Sequence, residues 1–106
     1  MTPLGTKIRE LRKAKGFTLE RLAELTDSSK SYIWELENKN PPRPSGEKIA
    51  RIADALGVTA DYLLDDSARA VKPDVVDEAF FRQYRRLPKD TKERIRELVN
   101  LWGKKE

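Results

Sequence analysis

The chain has 106 residues, with no cysteine, no histidine and a net charge of +4. That composition excludes disulfides, thiolate zinc sites and imidazole chemistry. No stretch is apolar enough to span a membrane, and the start "MTPLGTKIRE" lacks the apolar run of a secretion signal, so a cytoplasmic protein is expected.

Taken in chain order, "LGTKIRELRKAKG" places Leu4, Ile8 and Leu11 at helical spacing and stops at Gly16. "TLERLAELT" follows, with Thr18 as its N-cap and Leu19, Leu22, Ala23 and Leu25 as its apolar positions. "DSSKSYIWELENKN" then predicts a third helix with a narrow buried stripe, Ile33 and Leu36. Tyr32 and Trp34 fall off that stripe, on the side expected to be wet. "NKNPPRPSG" is too rich in proline for a helix and predicts a stiff exposed loop. Ser45 caps a fourth helix carrying Ile49, Ile52, Ala53 and Leu56, with Gly57 at its end; Thr59 caps a short fifth, "ADYLL".

Residues 67–73, "SARAVKP", predict a linker. Beyond it, Val76, Phe80, Tyr84 and Leu87 keep helical spacing. Ile95, Leu98, Val99 and Trp102 form an i, i+3, i+4, i+7 stripe on a last helix. That helix begins at Pro88 in its first turn, or later behind a capping box of Asp90 and Glu93. The expected class is all-α: a five-helix unit over residues 1–66 and a two-helix extension over 74–106.

The charge is unevenly placed. Residues 1–66 hold 11 basic and 11 acidic residues; residues 67–106 hold 11 basic and 7 acidic, and carry the whole excess. Asp61, Asp65 and Asp66 are the densest carboxylate group. Without histidine or a further ligand cluster they predict a helix N-terminal acid and a polar linker, and neither metal nor cofactor is expected. No nucleophile–base arrangement, phosphate loop or zinc spacing occurs, so no enzyme is expected.

Two short helices joined by a tight turn, inside a five-helix unit, fit a helix-turn-helix. Residues 4–65, from "IRELRKAKGFTLERLAELT" through "IARIADALGVTADYLL", resemble the XRE family of phage Cro and phage-repressor proteins. The resemblance implies a DNA-binding transcriptional repressor acting as a homodimer on a palindromic double-stranded operator. Its recognition helix would lie near residues 28–38. By position, Ser29, Lys30, Ser31 and Glu35 would face base edges: Lys30 can donate to guanine O6/N7, and Glu35 can accept from cytosine N4. Thr18, Tyr32, Trp34, Lys39, Asn40 and Arg43 would lie along the sugar-phosphate backbone. For the two aromatics, packing on neighbouring helices is the open alternative. Arg12 and Glu37 stand where relatives pair an arginine with a glutamate and are expected as a structural ion pair. The turn departs from the family pattern. Its usual glycine is Asp27, a residue that tolerates a left-handed conformation, and the apolar residue after it is Ser28. The family's frequent glutamine at the start of the second helix is Leu19.

The extension offers Phe80, Tyr84, Ile95, Leu98, Val99 and Trp102 as a dimer interface; folding back onto the first unit is the alternative. Tails of this kind in related repressors also receive regulatory proteins, including antirepressor metallopeptidases. A second functional reading is an antitoxin or immunity-type protein whose main role is neutralising a partner such as a toxin.

Overall fold

The structure, a computed structural model, describes residues 2–103; the last three residues of the expected 74–106 segment lie outside them. The described residues form seven helices and no strand. These are α1 (Pro3–Ala14), α2 (Leu19–Leu25), α3 (Lys30–Asn38), α4 (Gly46–Leu56), α5 (Ala60–Leu64), α6 (Pro73–Arg85) and α7 (Lys89–Gly103).

Side-chain oxygens define most of the starts, because the first amides of a helix have no internal acceptor. Thr18 Oγ1 accepts from the Arg21 amide at 3.0 Å, Ser29 Oγ from Tyr32 at 3.1 Å, Ser45 Oγ from Lys48 at 3.2 Å and Thr59 Oγ1 from Tyr62 at 3.1 Å. Thr2 does the same for Gly5 at 2.9 Å. Gly57 ends α4 at φ 71°, a left-handed conformation suited to glycine.

The core joins α1 to α5 through Ile8, Leu22, Ile33, Ile52, Leu56 and Leu63, all at most 1% exposed. Gly5 lets α1 and α3 meet: a Cβ there would overlap the carbonyl oxygen of Leu36. One apolar position of α2 differs from expectation. Leu25 is exposed, and Thr26 is buried instead. Burial of Thr26 is tolerated because its hydroxyl donates back to the Leu22 carbonyl at 2.8 Å.

Residues 67–72 carry no helix, yet they are pinned. Ala68 and Val71 pack on the core, and the Tyr62 hydroxyl donates to the Arg69 carbonyl at 3.1 Å. Helix α6 starts at Pro73, one residue before the expected boundary, with proline in its first turn. Its inward side is Val75 and Ala79, while Val76 and Phe80 of the spaced apolar set are exposed. Gln83 Nε2 donates to the Asp54 carbonyl, and Arg86 forks onto the Asp54 carboxylate at 2.7 and 3.2 Å, tying α6 to the end of α4. Helix α7 begins directly after Pro88 and has no buried residue. Among the described residues, the extension packs back onto the first unit through α6.

Candidate nucleic-acid interface

The bend between α2 and α3 is built by residues 26–29. Asp27 takes φ 53°, the left-handed conformation expected of it. The Ser28 amide donates to the Ala23 carbonyl at 2.8 Å, and Ser29 then caps α3. Lys48 of α4 completes the bend. Its ammonium donates to the carbonyls of Thr26 (3.0 Å) and Asp27 (2.9 Å) and to Ser28 Oγ (2.8 Å). Lys48 is not among the residues expected at the site. One signal was available: a lysine in the first turn of a helix opposes its own helix dipole, so its reason lies elsewhere.

Helix α3 buries Ile33, Leu36 and Glu37 and turns Lys30, Ser31, Trp34 and Glu35 outward. All four residues expected at base edges, Ser29, Lys30, Ser31 and Glu35, are exposed. Ser29 uses its Oγ as the cap acceptor, leaving its proton as donor. Lys30 Nζ meets Glu20 Oε1 of α2 at 2.7 Å. That hydrogen bond is the main reason the Glu20 carboxyl is held below its ordinary range. Glu20 was absent from the sequence-based site.

The two aromatics behave differently. Trp34 is 44% exposed, and the Lys39 ammonium lies 5.6 Å from its ring centroid. Tyr32 instead packs on the core, and burial pushes its hydroxyl pKa up. Placement on the wet side is thus corrected for Tyr32, because the ring reaches α4, where Lys48 Nζ lies 5.9 Å from its centroid. Thr18, Lys39, Asn40 and Arg43 are exposed. Arg43 and Asn40 line a surface cavity of about 230 Å³ with Thr2, Leu36 and Asp66.

Arg12 and Glu37 form a two-pronged ion pair, at 2.7 and 3.0 Å, across α1 and α3, and a third Arg12 nitrogen donates to the Phe17 carbonyl at 2.9 Å. Glu37 is almost fully buried. Lys7 similarly donates to the carbonyls of Tyr62 and Asp65 beneath α5. The Asp65 carboxylate accepts from Ser67 Oγ at 2.6 Å and its amide at 3.0 Å, which lowers its pKa. Among the described residues no group of three acidic side chains could hold a metal, and no helix is long and apolar enough to cross a membrane.

Of the residues expected at a dimer interface, Phe80, Leu98, Val99 and Trp102 are exposed, and Tyr84 and Ile95 half-buried. Phe80 stacks on Tyr84 with ring centroids 6.3 Å apart. Phe80, Tyr84, Ile95 and Val99 line one apolar groove between α6 and α7. Lys92 and Arg96 stand over the Tyr84 ring at 5.8 and 5.9 Å.

A capped short helix, a left-handed bend and a second helix with a polar outward face define the helix-turn-helix class of transcriptional regulator. The chain belongs to the helix-turn-helix family, of XRE type, whose model matches residues 8–63. Similar proteins include the HTH-type transcriptional regulator SinR of Bacillus subtilis, 33% identical over 63 residues. That match covers 59% of this chain and 57% of SinR, so the chain spans little more than half the length of this relative. The HTH-type regulator YazB of B. subtilis is 41% identical over 59 residues, covering 56% of this chain and 84% of YazB. Among solved structures, SinR, the master regulator for biofilm formation, in complex with DNA superposes with a TM-score of 0.55 at 34% identity, covering 58% of this chain and 98% of that one. The SinR/SinI protein complex gives 0.58 at 25% identity over 97% of this chain and 99% of that one, so this match extends over α6 and α7.

Proposed function

We propose that the protein represses transcription by binding a palindromic operator as a homodimer, with α3 in the major groove of each half-site. One observation carries this reading: α3 buries only one side, and its opposite face offers a cation, a carboxylate, a hydroxyl and an indole beside the exposed loop of Lys39, Asn40 and Arg43. Lys30, Ser31 and Glu35, with the Ser29 hydroxyl, read base edges. Thr18, Trp34, Lys39, Asn40 and Arg43 lie along the phosphates, and Tyr32 supports α3 from behind.

The groove of Phe80, Tyr84, Ile95 and Val99, continued by Leu98 and Trp102, supplies the dimer contact. The same face also suits a regulatory protein partner, an antirepressor metallopeptidase or a toxin. The likeness to a SinR/SinI complex over nearly the whole chain favours such a second role. A mobility shift with the DNA upstream of the chain's own gene, against scrambled DNA of equal length, tests the proposal. A preferential shift supports it; equal shifts on both favour the partner-neutralising reading.

A further inference from the structure

Lys48 sits where its charge does nothing for its own helix. A cation in the first turn of α4 faces the positive end of that helix dipole. It reaches instead to the end of α2, where carbonyls lack internal donors and the dipole is negative. Its three acceptors, the carbonyls of Thr26 and Asp27 and the hydroxyl of Ser28, are consecutive along the bend. Ser28 is also tied to Thr26, its hydroxyl donating to the Thr26 carbonyl at 3.2 Å. It directly precedes Ser29, the cap of α3. One turn further along α4, Arg51 brings its guanidinium within 3.6 Å of the Asp27 carboxylate, next to the strained φ of that residue. Two cations of α4 thus hold one bend.

We propose that Lys48 is a positioning residue for DNA recognition: it fixes the bend between α2 and α3 and so sets the angle at which α3 meets the groove. This rests on the proposed DNA-reading role of α3. Losing a phosphate contact weakens binding to all duplexes alike. Losing alignment weakens the matched sequence first, because base-edge hydrogen bonds need placement within about 0.5 Å.

The test uses the full chain with Lys48→Met, which keeps an apolar stem, Lys48→Arg, which keeps the charge, and Ile49→Val as a core control. Binding is measured at several salt concentrations to a duplex that the unmodified chain selects from a random pool, and to a scrambled duplex. Amide hydrogen exchange is measured without DNA. Lys48→Met is expected to lose about tenfold or more on the selected duplex and far less on the scrambled one. It should also speed exchange from Ser28 to Ile33 while leaving α1 and α5 unchanged. Lys48→Arg should recover part of both effects, and Ile49→Val should change neither the ratio nor the local pattern. Equal loss on both duplexes with a shallower salt slope would overturn the proposal in favour of a phosphate contact. Unchanged binding would overturn it as well. A chain that selects no sequence refutes the DNA-reading role, and exchange alone then decides whether Lys48 holds the bend: unchanged exchange there refutes that too.

Discussion

Arg12 of α1 grips Glu37 of α3 through two hydrogen bonds, and Glu37 lies almost fully inside the protein. The pair links the first helix to the end of the recognition helix. Removing one partner leaves a buried charge without its counter-ion, whereas removing both leaves only a packing problem. Arg12→Met is therefore expected to destabilise the fold by about 3–5 kcal/mol, and Arg12→Met with Glu37→Met by much less. Urea unfolding of the two variants and the parent gives the comparison. Equal losses for the single and the double variant would show that the pair acts through shape alone.

The pair between Lys30 and Glu20 gives a pH prediction. The Lys30 hydrogen bond holds the Glu20 carboxyl below the ordinary glutamate value of about 4.3. A depressed folded-state pKa stabilises the folded form above the unfolded value, and that contribution disappears as pH falls through the folded one. The bond should thus be intact at neutral pH and be lost only as pH falls beneath the ordinary glutamate range. Carbon-detected titration of Glu20 should give a midpoint below the ordinary glutamate value, and Lys30→Ala should move it upward. An unmoved midpoint would mean that the contact does not persist in solution.

Lys30 and Arg43 should differ in kind. Lys30→Ala should cost about 1–3 kcal/mol on the best duplex and relax preference at one base pair. Arg43→Ala should weaken all duplexes alike and flatten the salt dependence by about one unit. Binding to matched and single-mismatch duplexes over a salt series separates the two. A uniform loss for Lys30→Ala would move it to the backbone-contacting group.

Much of the first five helices was legible because short-range chemistry decides it. Thr18, Ser45, Thr59 and Gly57 act within a single turn, and Asp27 takes the left-handed bend its short polar side chain tolerates. What was not legible depends on partners distant in sequence. Thr26 replaces Leu25 inside because its hydroxyl finds a carbonyl, and Tyr32 turns inward because α4 offers it a surface. Lys48 meets its partners 20 to 22 positions away and Glu20 its partner 10 positions away, beyond any helical periodicity. The spacing of Val76, Phe80 and Tyr84 did not mark the side of α6 that meets α4, because the small Ala79 is buried there.

The apolar face of α6 and α7 predicts an oligomeric boundary. A chain ending at Lys72 keeps Ala68, Val71 and the Tyr62–Arg69 hydrogen bond and should stay folded. It should sediment as a monomer where the full chain sediments as a dimer, and bind a two-half-site duplex more weakly through loss of linkage. A truncated chain that is still a dimer at the same concentration would place the interface elsewhere.

The central claim is that the outward face of α3 reads DNA sequence. Selection from a random duplex pool, run in parallel with the full chain and with Lys30→Ala, tests it most directly. The full chain should enrich a palindromic sequence, and Lys30→Ala should enrich the same sequence with preference lost at one symmetric pair of positions. A pool that stays random under the full chain, or an identical preference for both proteins, would contradict the claim.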